Sequence, residues 1–272
     1  MAFTGYSING TPLQNDTYKW RILRDGTQTI AGITKNLSKV PVPGRPGYNP
    51  APSTYTEQLV VLVIRTPRTN LEALLNLCDA ATSLTRTDDA TKEMYVELAS
   101  ATVNGDAPFD AMFDVTITLS GYQGVYRDVS PTTIGPTTIA SPTVTLDVFA
   151  GMSAPIFEAD IFMRGQFGQF VITDAGGSVL KTVSAPPGQL STNGILWLGA
   201  SQQAFVALES SPFTPVSDAS AYVDQSANGG FRITPVMVSG NPANRKGTLT
   251  ITTLTQTSTT IRVRGKAAYR MN

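Results

Sequence analysis

The sequence predicts a mainly β protein in two parts: an N-terminal α+β domain, a β-barrel or sandwich with one main helix, followed by a β-sandwich. Three observations predict it. A single clear apolar stripe of helical period occurs in the 272 residues. Short runs that alternate apolar and polar side chains fill most of the remainder. Turn-forming residues, 23 Gly and 18 Pro, separate those runs.

Taken in chain order, residues 17–24 alternate loosely, with Tyr18, Trp20 and Ile22 on one face of an expected strand and Lys19 and Arg21 on the other. Asp25-Gly26 closes it. Residues 40–50 hold four prolines and two glycines, too many for helix or central strand, and read as a stiff, shaped loop. Residues 56–64 read as a buried strand. Thr66-Pro67, or Thr69 with Glu72, offers a helix start. Leu71, Leu74, Leu75 and Cys78 then follow at i, i+3, i+4 and i+7, one face of a helix. Cys78 on that stripe is a packing residue.

Beyond the helix the period is two. Val96 and Leu98 point inward from residues 94–98, and Phe113, Val115, Ile117 and Leu119 share one face of 112–119, ended by Gly121. Residues 128–142 are rich in Ser, Thr, Pro and Gly and are expected to link the two domains. Short strands are then expected at 144–149, 156–164, 169–174, 178–181, 194–198, 203–208, 247–252 and 260–264. The expected division is therefore 1–127, a linker at 128–142, a sandwich at 143–258, and a C-terminal strand segment at 259–272 that packs on either domain.

Composition excludes several kinds of chemistry. The chain has no His, which removes Ser-His-Asp and Cys-His catalysis, His-ligated metals and histidine pH switches. Its one cysteine cannot close an internal disulfide. No Walker A or dinucleotide fingerprint is present. Asp88-Asp89 with Glu93 lacks the oxygen-rich spacing of a cation loop. Glu158 and Asp160 would share one strand face, yet two carboxylates without a third group are weak grounds for glycoside chemistry. Trp20 and Trp197 read as packing residues, with a sugar platform at Trp197 as the alternative. The chain is thus expected to be no enzyme and to need no cofactor. The opening residues have neither a positive nor an apolar stretch of signal-peptide type, and no apolar run approaches a membrane span.

The formal net charge is +0, but its distribution is uneven. Residues 1–50 carry net +4, 51–120 net −6, 121–244 net −4 and 245–272 net +6. Complementary patches of this kind suit contacts between subunits. The stiff loop, through Pro43, Gly44, Arg45, Gly47 and Tyr48, is expected to dock on the acidic surface of a neighbouring copy, with Arg45 clamping a carboxylate.

Several of these segments together resemble the distal tail protein, the baseplate hub of siphophages. The opening Phe3–Gly10 is similar to its first strand, and Val42–Tyr48 to its Pro-Gly-Arg-x-Gly loop. The strand at 57–64, the helix at 71–78, the β-rich second half and the closing Ile261–Arg270 follow in that family's order. The resemblance implies an N-terminal tail-tube-like domain and a C-terminal galectin-like sandwich. It implies a homo-oligomer, a hexameric ring at the distal end of the virion tail, made in the host cytoplasm. Its partners would be the tail-tube protein, the tail-associated hub protein and a side fibre or receptor-binding protein. DNA would pass through without specific binding. A basic wall would retain DNA, so an acidic or neutral lumen is expected from among Asp88, Asp89, Glu93, Glu97, Asp106 and Asp110. The alternatives are a tail-tube protein and a carbohydrate-binding or adhesion module of the tail tip.

Overall fold

The computed structural model describes residues 5–23, 28–29, 35–36, 39–41, 48–50, 54–55, 58–105, 111–121, 124–139, 142–165, 168–177, 179–184, 194–199, 203–224, 232–253 and 259–270. The chain divides into two compact units, Met1–Val129 with Tyr269–Asn272, and Ser130–Ala268.

The first unit opens on β1 (Tyr6–Ile8) and β2 (Thr11–Pro12), joined by a tight turn at Asn9 and Gly10, both at positive φ. The strand expected over 17–24 is confined to β3 (Arg21–Ile22). The Asn15 side chain accepts from the backbone N–H groups of Thr17 (2.9 Å) and Tyr18 (3.3 Å), which bends the chain into a turn before Trp20. Trp20 is nonetheless core, 1% exposed, with the Tyr18 ring stacked on it at 4.5 Å. Five short strands follow: β4 (Gln28–Thr29), β5 (Lys35–Asn36), β6 (Lys39–Pro41), β7 (Tyr48–Pro50) and β8 (Thr54–Tyr55). β5 pairs with β8 and β6 with β7.

β9 (Gln58–Pro67) buries Val60, Leu62 and Ile64 on one face. It stays paired as far as Pro67, opposite Met112, so the chain is still extended where the sequence offered Thr66 and Pro67 as a helix start. One 3-10 turn over Arg68–Asn70 comes next, and α1 (Leu71–Asp79) begins after Asn70 without a side-chain cap. The Asn70 amide is engaged elsewhere, donating to the Tyr18 carbonyl at 2.7 Å. The helical stripe lies as its spacing predicts: Leu74 and Cys78 are fully buried, and Leu71 and Leu75 pack beside them.

β10 (Ser83–Arg86), β11 (Asp89–Asn104), β12 (Met112–Gly121) and β13 (Val125–Asp128) complete this part. The sheet runs β2-β1-β10-β11-β12-β9-β3, with β13 on β11 and β4 on β9. The four predicted inward residues of β12 are all buried, and α1 packs on β9 and β11.

Among the described residues the second unit is β apart from one 3-10 turn, Ser220–Tyr222. Its strands are β14 (Thr132–Ile139), β15 (Thr143–Val148), β16 (Asp160–Gly165), β17 (Gln169–Asp174), β18 (Val179–Ser184), β19 (Gly194–Leu198), β20 (Ala204–Leu208), β21 (Ser211–Asp218), β22 (Val223–Asp224), β23 (Val236–Val238), β24 (Asn241–Thr253) and β25 (Thr259–Gly265). They form two six-stranded sheets, β14-β25-β16-β19-β20-β21 and β15-β24-β17-β18-β22, with β23 on β24. Alternating apolar residues fill the interior. Ile161, Met163, Leu196, Leu198, Ile261 and Val263 come from the first sheet, and Leu146, Val148, Phe170, Ile172, Leu249 and Ile251 from the second.

The structure differs from the expected linker. Residues 128–142 hold β14, paired along β25 from Thr132–Gly265 to Ile139–Thr259. The composition misleads because β14 is an edge strand with a register shift at Gly135-Pro136, and an edge strand tolerates a proline, which has no N–H to donate. Gly135 is at φ +99°, and a side-chain carbon there would stand 2.6 Å from the Ile261 carbonyl oxygen. The expected C-terminal segment 259–272 is likewise split. β25 belongs to the second unit's sheet, whereas β26 (Ala268–Arg270) pairs with β13 of the first.

Candidate functional site

β11 is the longest strand among the described residues, and it is unevenly partnered. Its first half lies between β10 on one edge and β13 on the other. From Leu98 onward only β12 pairs with it among the described residues. Ala99, Ser100, Ala101, Thr102, Val103 and Asn104 are all exposed, and among the described residues one backbone edge of this stretch has no strand partner. The segment carries no charge and no proline. Such an edge is a template for another strand; Lys and Pro, which commonly block one, are missing from these six residues, and the register shift against β12 lies at the start of the stretch, between Leu98 and Ser100.

The predicted acidic residues are brought to this same sheet, but their charges are largely met nearby. Asp88, half-buried in the turn between β10 and β11, accepts from Arg86 through both oxygens, at 2.9 and 2.5 Å. The guanidinium holds the Asp88 carboxyl below the usual range. Asp89 accepts from Lys92 at 2.7 Å and from Thr91, which lowers its pKa in the same way. Glu93 lies opposite Arg127 across β11 and β13. Glu97 is exposed, opposite Ser120. Asp106 and Asp110 lie outside the described residues. So do Pro43, Gly44, Arg45 and Gly47 of the expected docking loop; Tyr48 stands in β7, opposite Pro41. Sequence reading missed the open edge, although its signal, six uncharged small or β-branched residues ending in Asn104-Gly105, is present in the chain.

The second unit carries a different surface on the outer face of the β14-to-β21 sheet. Cross-strand pairing sets Arg262, Phe162, Trp197 and Phe205 in one row. Trp197 donates to Asp160 Oδ1 at 3.0 Å. Asp160 is thereby a partner of the indole, while Glu158 precedes the strand, so the two do not form a carboxylate pair on one strand face. Among the described residues no group of three or more His, Cys, Asp or Glu is placed to hold a metal ion, and no helix is long and apolar enough to cross a membrane.

These features define a class: a mainly β chain whose second unit is inserted before the last strand of the first. The particular likeness is to the crystal structure of SPP1 Dit, described as a paradigm of the hub adsorption apparatus in phages infecting Gram-positive hosts. It has a TM-score of 0.52 and 15% identity, over 96% of this chain and 98% of that one. The phage P2 baseplate in its activated conformation, with Ca or with Sr, gives TM-scores of 0.38 and 0.40 at 11% and 12% identity, over 94% of this chain and 93% of each of those chains. No protein-family model and no curated protein matches the chain. The resemblance read from the sequence is thus upheld at the level of the fold.

Proposed function

We propose that this protein is a structural component of a siphophage tail. It forms a hexameric ring at the distal end of the tail tube, joins the tube to the tail-tip hub protein, and surrounds part of the DNA channel. The observation that carries this reading is a fold likeness that spans nearly all of both chains. The open edge of β11 supports it physically, because a ring needs a contact that repeats head to tail and returns on itself. In this reading the Ala99–Asn104 edge meets a neighbouring copy, and the uncharged segment with Glu97 gives the channel a neutral to acidic wall that does not retain DNA. The second unit is a galectin-like sandwich that projects outward, and a side fibre or receptor-binding protein attaches there. The protein resides in the virion tail after synthesis in the host cytoplasm.

A sugar-binding role for the second unit would need an open aromatic ring. Trp197, its best platform, already carries the edge of Phe213 at a centroid distance of 5.8 Å. Negative-stain microscopy with mass measurement on the same sample tests the ring. Six-fold rings with an open centre are expected. Long tubes would assign the protein to the tail tube instead.

A further inference from the structure

One short segment of the second unit covers an entire row of recognition chemistry. The outer sheet face carries Arg164, Arg262 and Arg264 around the rings of Phe162 and Trp197. The β20–β21 hairpin should run flat along the sheet edge. Instead Leu208 pairs with Ser211 and Ala207 with Pro215, so Pro212, Phe213 and Thr214 leave the ladder. They fold back over the face. The Phe213 ring meets Phe162 edge-on at 5.3 Å and lies under the Arg264 guanidinium at 4.3 Å. Glu209, in the same hairpin, accepts from Arg262 at 2.7 Å through one oxygen and pairs with Arg164 through the other. Phe162, Ile195 and Ala207 are buried beneath this strap.

The cover is thin. Phe213 is 44% exposed, Leu208 43% and Val216 62%. A small cleft between Phe162, Arg164, Ile195, Thr260 and Arg262 is left beside it. A ring that merely completed a core would be enclosed, whereas this one stays partly open while meeting Phe162, Trp197 and Arg264.

We infer that this face recognises an extended acidic-aromatic peptide segment of another protein, and that the strap occupies the site in the free chain. The strap itself displays the chemistry that fits. It offers one carboxylate to a pair of guanidiniums and, four residues on, one aromatic ring to two others. Paired guanidiniums receive a carboxylate in fork geometry, and aromatic rings favour edge-to-face contact. With Glu209 lifted away, three arginines face two carboxylates, Asp160 and Asp218, so the uncovered face has an excess of positive charge that draws an acidic segment and repels a basic one. The strap competes with the incoming peptide, and apparent affinity is reduced by the fraction of chains in which it is closed. This inference stands apart from the ring, since a chain that never closes a ring still carries the face.

The test uses the full chain and a fluorescent peptide of its own residues 207–216, followed by anisotropy. The wild-type chain is expected to bind weakly. The variant E209Q/F213A removes the strap's two anchors and is expected to bind at least about tenfold more tightly. Adding R164A/R262A to it should abolish that gain, as should replacing the peptide's glutamate with glutamine. E209Q alone, with an unchanged melting curve, should give a smaller gain in the same direction and guards against misfolding of the double variant. Equal binding by folded wild-type and strap variants would overturn the inference. So would binding indifferent to the arginines, or preference for an oligosaccharide over the peptide.

Discussion

If the open edge of β11 closes the ring, two lysines placed on it should dissolve the ring without unfolding the chain. Ala101 and Val103 share one face of the strand opposite Ile117 and Val115. Both are exposed, Val103 at 39%, so A101K/V103K removes little buried area. The separate chain's stability should change by no more than about 0.5 kcal/mol, as for ordinary surface substitutions. The ring responds differently, because each of its contacts carries the same pair of substitutions. A penalty of about 1 kcal/mol for charge set against a pairing strand repeats at every contact, giving about 6 kcal/mol for a ring of six. At about 1.4 kcal/mol per decade, that is on the order of a 10⁴-fold fall in the ring-forming constant. Mass measurement across a concentration series reads the assembly, and thermal melting reads the fold. Rings that persist at wild-type concentrations in the folded double variant would refute the assignment of this edge.

Other outcomes follow from the first unit's core and charges. Leu74→Ala should lower stability by about 2–5 kcal/mol in urea titrations, because the side chain is fully buried on the α1 stripe; Glu72→Ala, on the exposed face, should not. Burial pushes the Cys78 thiol up to about 12, so at pH 8 only about 10⁻⁴ of it is thiolate. A disulfide reagent should label one thiol per chain, and only as fast as the unit opens. Asp88, Asp89 and Asp114 are held below the ordinary carboxylate range by hydrogen bonds from Arg86, Lys92 and Arg65. Their contribution to stability is therefore complete above about pH 4 and is lost as pH falls through their lowered folded values. D88N/D89N should lower stability near neutrality, flatten the acid limb of the stability–pH curve, and change little at the acid end where the wild-type carboxylates are already protonated.

The parts of the fold legible in the sequence are those where periodicity and burial agree. The faces of β9 and β12 and the α1 stripe were readable because each buries one regular set of apolar side chains. The helix start was not, because strand pairing through Pro67 is a long-range effect that overrides a local capping signal. β14 was hidden because an edge strand needs few apolar residues, and its Thr, Gly and Pro content imitates a linker. The strap hairpin was hidden for a related reason: Ser-Ser-Pro-Phe-Thr-Pro has no strand period, and its path is set by Glu209 and Phe213 finding partners across three strands. The acids at 88–97 were legible as a charged group, but not the pairing of Asp88 with Arg86 and of Asp89 with Lys92, nor the placing of Glu93 opposite Arg127, which only sheet pairing brings about.

The last strand has a consequence for how such a chain can change over time. The polypeptide leaves the first unit after β13 and re-enters it at β26, a strand paired to β13, with the Tyr269 hydroxyl donating to Asp128 at 3.4 Å. Exit and entry are neighbours. Everything between them is a cassette held by two adjacent threads, and its replacement by a longer, shorter or unrelated module leaves both ends of the host sheet where they were.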